Sequence, residues 1–126
     1  MLLEELRIYT LSMALAEEIW TIATGWPYFS KDTPGKQIVR SADSISANIS
    51  EGFGRYHYKE AKNFGYFARG SLYETKTFIK KAHSRKLISE KELNALINEC
   101  NFLGASLNKY IKSIGNNKTS HPPVDE

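Results

Sequence analysis

The stretch that decides the fold runs from Gln37 to Glu74 and reads QIVRSADSISANISEGFGRYHYKEAKNFGYFARGSLYE. Its first half is a helix crowded with small residues, which are Ser41, Ala42, Ser44, Ser46, Ala47 and Ser50. Gly52 and Gly54 follow close together, and glycines at this spacing end a helix and let the backbone reverse. The second half opens a longer helix, so the stretch predicts two helices joined by a tight turn.

Helical periodicity over the rest of the chain predicts four helices in all. The first covers about residues 3–24 and the third about 58–85. The second follows a loop at 28–31 and is capped by Asp32 or Thr33. The fourth begins at a Ser89–Glu92 capping box and stops at Gly115. Because short connections make sequential helices antiparallel, we expect an all-α, up-down-up-down four-helix bundle over residues 1–115. Residues 116–126 lack periodicity and contain two prolines, which predicts a disordered tail.

The third helix combines an apolar stripe with two internal glycines. The residues expected in its buried stripe are Phe64, Phe67, Ala68, Ser71, Leu72, Thr75, Phe78, Ile79 and Ala82. A glycine inside a helix costs about 1 kcal/mol relative to alanine. We therefore expect Gly65 and Gly70 to lie where a neighbouring helix packs closely.

The first helix has an apolar arc wider than one core contact requires. One stripe consists of Leu6, Tyr9, Met13, Ala16, Trp20 and Ala23, and a second of Ile8, Leu11, Leu15, Ile19 and Ile22. Together they cover roughly 220° of the helix, against about 100–140° for a single core-facing surface. The helix is either central in its own monomer or part of a subunit interface, and the bundle's single inward face per helix favours the interface. On that hypothesis, Asp in place of Ile8 or Leu15 would dissociate the assembly.

Composition and motifs weigh against several classes of protein. The chain has 126 residues, 41% of them hydrophobic and 25% charged, with no signal peptide and no apolar run that could span a bilayer, so we expect a cytoplasmic bacterial protein. Cys100 is the sole cysteine and falls on the apolar stripe of the fourth helix, which indicates a core residue rather than a nucleophile. No H-E-x-x-H, G-x-S-x-G or phosphate-binding loop motif occurs. We therefore expect no enzymatic activity, no cofactor and no metal site.

A polar stripe follows one face of the second helix. Along the second helix it consists of Gln37, Arg40, Ser44, Asn48 and Glu51, and Arg55 continues the line if the helix does not break first at Gly52. In a structural network, Arg40 or Arg55 would pair with Glu51 or with Glu74 of the third helix. Residues three or four apart meet on a helix surface, so these side chains can interact. The stripe is either a structural hydrogen-bond network between the second and third helices or a site for a ligand or partner. Internal satisfaction of buried polar groups favours the structural network.

Positive charge is concentrated in one segment. The chain carries a net charge of +3, but residues 57–86 hold eight Lys and Arg residues against two acidic ones, a net +6. The basic strip that we predict to bind nucleic acid consists of Arg55, Lys59, Lys62, Tyr66, Arg69, Tyr73, Lys76 and Lys80. Cations can contact phosphates and tyrosines can stack on unpaired bases. The alternative is an ordinary solvated helix face, which normally intersperses glutamate with lysine.

Three strings in the chain resemble a known family. They are RSADSISANISEGFGR at 40–55, KEAKNF at 59–64 and GSLYE at 70–74, and LRIYTLSMALAEEIW at 6–20 is similar to the family's first helix. The resemblance is to four-helix-bundle proteins encoded in intervening sequences of bacterial large-subunit ribosomal RNA genes. These proteins are similar in fold to the accessory variability determinant of diversity-generating retroelements, which works with nucleic acid and a reverse transcriptase. The resemblance implies a homopentamer, and its motif falls on Arg40, Ser44, Asn48, Glu51, Gly52, Arg55, Glu60 and Glu74.

Two functional hypotheses follow from these observations. In the first, the chain is an RNA-associated accessory protein that uses the third helix and Arg55, with RNA or a nucleic-acid enzyme such as a reverse transcriptase as its partner. In the second, it is a homo-oligomeric scaffold that binds a protein partner and no nucleic acid.

Overall fold

The computed structural model describes residues 1–115, which form four long helices. They are α1 (Arg7–Thr24), α2 (Lys36–Phe53), α3 (Tyr58–Ser84) and α4 (Glu90–Ser113). Each helix packs against the next in the chain, and α1 also packs against α4, so the four close into a ring around one core. This is the expected all-α, up-down-up-down bundle. The predicted tail at 116–126 lies outside the described residues.

The core is built from the inward stripes of all four helices. Its largest fully buried apolar side chains are Leu15, Ile19, Ile45, Leu72, Ile79, Leu103 and Leu107. Burial of such side chains contributes about 1.5–3 kcal/mol each, so these inward stripes together are the main source of stability. None of the helices within residues 1–115 combines the length and the apolar character needed to cross a membrane.

Small residues bring α2 and α3 into close contact. A Cβ added to Gly52 would lie only 2.8 Å from the Cβ of Phe64, so no larger residue fits without movement of α3. Further along the same seam, Ser44 Oγ and Ser71 Oγ lie 2.8 Å apart, and Thr75 Oγ1 donates a hydrogen bond to Ser41 Oγ at 3.0 Å. Ser41 and Ser44 therefore serve a close, hydrogen-bonded contact with α3, whereas Ser46 and Ser50 donate to backbone carbonyls within α2.

Two expectations for α3 are wrong and one is confirmed. Gly65 does lie at a close contact, because an added Cβ would come within 2.7 Å of Ile111 Cγ1 on α4. Gly70 faces open space instead. Phe67, expected in the core, is more than half exposed and contacts Phe64 edge-on, with ring centroids 5.4 Å apart. Gly70 lies about 160° around the helix from Leu72, so it is on the outer face, away from the buried stripe. Phe67 lies at the edge of that stripe, where a wheel alone does not reveal how far a neighbouring helix covers it.

The segment before α2 differs from the prediction. Tyr28–Ser30 forms a helical turn and Lys31–Gly35 a wider, π-type turn, and together they run directly into α2. Neither expected cap is used as one, because Thr33 Oγ1 donates to the carbonyl of Phe29 and Asp32 pairs with Lys36 at 3.0 Å. The widened turn contains Pro34, which lacks the N–H that an α-helical turn needs. The predicted loop at 28–31 and the cap at Asp32 or Thr33 are therefore wrong.

The connection between α3 and α4 follows the predicted capping chemistry. Ser89 Oγ accepts from the backbone N–H of Glu92 at 3.0 Å, and the Glu92 carboxylate accepts from the N–H of Ser89 at 2.9 Å. Past the other end of α4, Gly115 adopts a φ of +79°, which only glycine takes without strain. The capping box and the stop at Gly115 are both confirmed.

The two stripes of α1 have different environments. Ile8 and Leu15 are buried in the core of the monomer, so Asp at either position would disrupt the fold of one chain rather than an interface. Met13 and Trp20, from the other stripe, are 43% and 53% exposed. The excess apolar arc of α1 is therefore the surface that carries Met13 and Trp20.

Two carboxyl groups meet at the seam between α1 and α4. Glu99 of α4 lines a groove of about 310 Å³ beside Ala14 and Phe102. Burial raises the pKa of Glu99 from 4.5 to about 7, and its hydrogen bond with Glu18 and the charge of Glu18 add to the rise. Glu99 is therefore partly protonated near neutral pH, beside the side chain of Glu18.

Glu99→Gln should make stability less dependent on pH. Because the folded chain holds this proton more tightly than the unfolded chain, the contribution of Glu99 is fully present below pH 4.5 and is lost as the pH rises through about 7. The amide cannot ionise, so the variant should gain stability relative to the wild type between pH 5 and pH 8. The difference should stay below about 1 kcal/mol, because the group is still partly exposed to water. Urea unfolding of both proteins at the two pH values measures it, and an identical pH dependence would contradict the assignment.

Candidate nucleic-acid interface

The basic strip lies along the side of α3 that borders α4. Lys59 and Lys80 are exposed and Lys62 is partly buried. None of these three lysines forms an ion pair within the described part of the chain. The acidic residues of α3, Glu60 and Glu74, lie roughly 100–140° around the helix from Tyr73. The strip therefore presents cations that no carboxylate of α3 neutralises.

Two further cations of the strip contact the rings of its two tyrosines. The guanidinium of Arg69 lies 4.9 Å from the ring centroid of Tyr66, and Arg69 Nη1 donates to Asn108 Oδ1 of α4 at 3.0 Å. Lys76 Nζ lies 5.7 Å from the ring centroid of Tyr73. Both rings remain about half exposed. The strip is thus a row in which cations and accessible aromatic rings alternate, with Arg69 and Lys76 already engaged and partly buried.

Arg55 lies apart from the rest of the strip. Its Nη2 donates to Glu51 Oε2 at 2.6 Å, and its guanidinium lies 4.9 Å from the ring centroid of Phe64. Phe64 packs against Gly52 of α2, so Arg55 belongs to the α2 side of α3. The structure therefore brings together the seven strip residues of α3 but not Arg55.

Comparison with known proteins settles the family. The sequence model of the 23S rRNA-intervening sequence proteins matches residues 4–109, which is most of the chain. The chain belongs to this family. The resemblance carried by the strings at 40–55, 59–64 and 70–74 is thereby confirmed.

A solved structure and a search of curated proteins complete the comparison. The chain is similar to a crystal structure of a protein of unknown function from the S23 ribosomal protein family of Bacteroides thetaiotaomicron. The TM-score is 0.76 and the identity 21%, over 84% of this chain and 99% of the other. At that identity the likeness shows the fold alone. No curated protein matches the chain.

The polar stripe divides into a network and separate surface residues. Asn48 Nδ2 donates to both the carbonyl and the hydroxyl oxygen of Ser44, at 2.9 and 3.0 Å, and Ser44 in turn contacts Ser71. Glu51 is exposed and pairs with Arg55, while Arg40 and Glu74 are exposed and have no hydrogen bond to the network. The structure therefore joins Ser44 and Asn48 and leaves Arg40, Glu51 and Glu74 outside.

The sequence reasoning missed part of this network. Ser71 and Thr75 were assigned to the apolar stripe of α3, yet their hydroxyl groups contact Ser44 and Ser41. Hydroxyl residues at helical spacing on two consecutive helices were the signal that could have revealed these pairs.

No feature of residues 1–115 points to catalysis. These residues contain no group of three or more His, Cys, Asp or Glu side chains placed to hold a metal ion. Cys100 is 0% exposed, and burial raises the pKa of its thiol to about 12. A thiol that stays protonated at neutral pH is a poor nucleophile. Cys100 is therefore a core residue, as its position in the sequence indicates.

Asn48→Ala and Glu51→Ala should differ in their effect on stability. Asn48→Ala removes two hydrogen bonds from a partly buried network and should lower the free energy of unfolding by about 1 kcal/mol. Glu51→Ala removes an exposed i,i+4 ion pair and should cost less than about 0.5 kcal/mol. Urea unfolding of the two variants checks this order, which equal losses would contradict.

Proposed function

We propose that the protein is a non-enzymatic, RNA-associated accessory protein that binds RNA through the part of the basic strip on α3. The observation that carries the proposal is the set of unpaired lysines, Lys59, Lys62 and Lys80, on the same face as two accessible tyrosines. Because no carboxylate pairs with these three cations, each is available to interact with a phosphate group.

The chemistry of the strip fits single-stranded or looped RNA. Each lysine that contacts a phosphate releases condensed counterions, so binding depends steeply on salt. Base stacking on an aromatic side chain contributes about 1–3 kcal/mol per base and tolerates any sequence, which suits Tyr66 and Tyr73. A strip with few free cations gives weak binding in one copy, and several copies in an oligomer would strengthen it.

The family adds support of a different kind. Its members are proteins of 23S rRNA intervening sequences, which associates their genes with ribosomal RNA genes. That association agrees with a surface suited to RNA, while the choice of RNA as ligand rests on the lysines and tyrosines of α3.

Lys59→Glu combined with Lys80→Glu should weaken RNA binding and reduce its salt dependence. Both residues are exposed, so the fold should be unaffected, whereas Lys62 and Lys76 are partly buried and are less suitable. The slope of log K against log salt should shrink by about one for each lysine that contacts a phosphate. Fluorescence anisotropy of a labelled single-stranded RNA over a salt series measures the slope.

The matched control for this experiment is Lys91→Glu combined with Lys109→Glu, which makes the same change of charge at exposed positions of α4. Its binding curve should match that of the wild type. Equal weakening by both double variants would indicate a general charge effect and contradict the proposed surface. Absence of salt-sensitive binding by the wild-type protein at low ionic strength would also contradict it.

The second candidate function is a homo-oligomeric scaffold that binds a protein partner and no nucleic acid. It is favoured by the exposure of Trp20 and Met13 on α1, since large apolar side chains clustered on a surface are typical of interfaces. Beside Trp20 lies an apolar groove of about 270 Å³ lined by Ala23, Tyr28 and Val39. We propose this face of α1 as the contact of a ring-like oligomer, most simply the pentamer that the family resemblance implies.

Trp20→Asp should dissociate such an oligomer. A carboxylate buried in an apolar interface without a partner costs several kcal/mol, whereas at an exposed position of the monomer it is tolerated. Light scattering after size exclusion should give a multiple of the 14.3 kDa chain mass for the wild type and the single mass for the variant. Thr21→Asp, an exposed neighbour about 100° around the helix, is the control and should leave the oligomer intact. A monomeric wild type at micromolar concentration would contradict the assembly.

A further inference from the structure

A cavity of about 620 Å³, widely open to solvent and lined mostly by exposed side chains, lies where the N-terminal end of α2 meets the C-terminal end of α3. The side chains that matter to its chemistry are Phe29, Gln37, Arg40, Phe78, Lys81 and Arg85. Its volume lies within the range of about 300–1,000 Å³ that is usual for small-molecule sites. None of these residues belongs to the basic strip.

The charge of the cavity is positive and largely uncompensated. Lys36 and Asp32, which also line it, neutralise each other in an ion pair of 3.0 Å. Arg40, Lys81 and Arg85 have no acidic partner among the described residues. Three uncompensated cations facing one cavity favour an anionic ligand, and arginine guanidinium groups match the geometry of phosphate oxygens.

Stabilisation of the end of α3 accounts for only part of this charge. Cations near a helix C-terminus interact favourably with its dipole, which explains Lys81 and Arg85 without any ligand. Arg40 belongs to α2, more than a turn inside that helix, and the dipole of α3 gives no reason for a cation there. Arg40 therefore distinguishes a ligand site from a stabilised helix end.

Aromatic surface accompanies the cations. Phe29 is 77% exposed, in the helical turn that precedes α2, and Phe78 is partly buried, with Lys81 Nζ 5.7 Å from its ring centroid. An apolar ring as exposed as that of Phe29 contributes little to the core of the protein. It offers a stacking surface at the edge of a positively charged cavity.

We propose that this cavity binds a nucleoside phosphate. Arg40, Lys81 and Arg85 hold the phosphate, the ring of Phe29 stacks on the base, and the amide of Gln37 is available to hydrogen-bond the sugar or base. The ligand is either a free nucleotide or the terminal nucleotide of a strand, since both present a phosphate next to a base. The site is separate from the proposed RNA surface and does not depend on it.

Calorimetric titration of the full chain with ATP and with tripolyphosphate tests both parts of the site. Wild type should bind ATP more tightly than tripolyphosphate. Arg40→Gln combined with Arg85→Gln should lower the affinity for both ligands by about tenfold or more, because charge-assisted hydrogen bonds are lost. Phe29→Ala should lower the affinity for ATP by about tenfold and leave the affinity for tripolyphosphate unchanged, because only the nucleoside stacks on the ring. A separate variant, Lys81→Gln, removes one of the three phosphate-binding cations while Arg85 stays in place at the end of α3. It should lower the affinity for both ligands as well.

The matched control is Lys59→Gln combined with Lys80→Gln, which removes the same charge from the basic strip and should change ATP affinity less than about twofold. The proposal is overturned if the wild type does not bind ATP, or if the control weakens ATP as much as the arginine variant does. It is also overturned if Phe29→Ala has no effect on ATP, or if a polyglutamate peptide binds as tightly as ATP.

A pair of short single-stranded RNAs, alike except for a 5′-phosphate or a 5′-hydroxyl, separates the two sources of the ligand. The site is assigned to strand ends if the phosphorylated RNA binds more tightly than the other RNA, and if this difference is lost in the arginine variant but kept in the strip control. Equal binding of the two RNAs together with ATP binding assigns it to a free nucleotide. Loss of RNA affinity in the strip variant alone concerns the α3 surface and leaves this site unaffected.

Discussion

The close approach of α3 to both of its neighbours is the constraint on which the bundle depends. Gly52 gives room to the Cβ of Phe64 on one side, and Gly65 gives room to Ile111 on the other. Interiors pack to near-crystalline density, so an added methyl group would have to displace the backbone of α3 at Gly52, and would have to move the side chain of Ile111 at Gly65. The positions of α2 and α4 are therefore set by two residues that have no side chain.

This placement of α3 also determines what its outer surface can carry. Because the inward face of α3 carries only small residues and aliphatic side chains such as Leu72 and Ile79, its lysines, arginines and tyrosines are left to the outer face and the helix ends. Arg69 and Lys76 gain a second role there, since each contacts a tyrosine ring and Arg69 also reaches Asn108 on α4. The basic strip and the cavity at the far end of α3 thus result from the same division between a tightly packed inner face and a charged outer one.

Local patterns in the sequence were sufficient for most of the fold. Helical periodicity predicted the number of long helices, and the Ser89–Glu92 capping box and Gly115 predicted the ends of α4, because each depends on residues within one or two turns. The first helix, expected from about residue 3, begins at Arg7 after a separate 3-10 turn at Leu3–Glu5. The segment at 28–35 was mispredicted, since a proline such as Pro34 is typical of a helix start but here lies inside a widened turn. Phe67 shows the other limit, because the sequence of one helix does not reveal how far a neighbouring helix covers the edge of its stripe.

The candidate sites were less predictable for the same reason. The strip on α3 was accessible to sequence reasoning because it lies on one helix and repeats at its period. The separation of Arg55 from it depends on how α2 and α3 pack, and the cavity joins Phe29, Arg40 and Arg85, which are distant in the chain. Sites assembled from several elements require tertiary structure before their residues can be grouped.

The hydroxyl groups between α2 and α3 have a consequence for specificity rather than strength. Apolar contacts between helices are not directional, so they constrain the register of two helices through shape alone. The contacts of Ser44 with Ser71 and of Thr75 with Ser41 are directional, and a slip of one turn would move the partners about 5.4 Å apart. Only the observed register forms both contacts, since a slip of one turn in either direction can pair at most one of these hydroxyl groups with a hydroxyl group of the other helix.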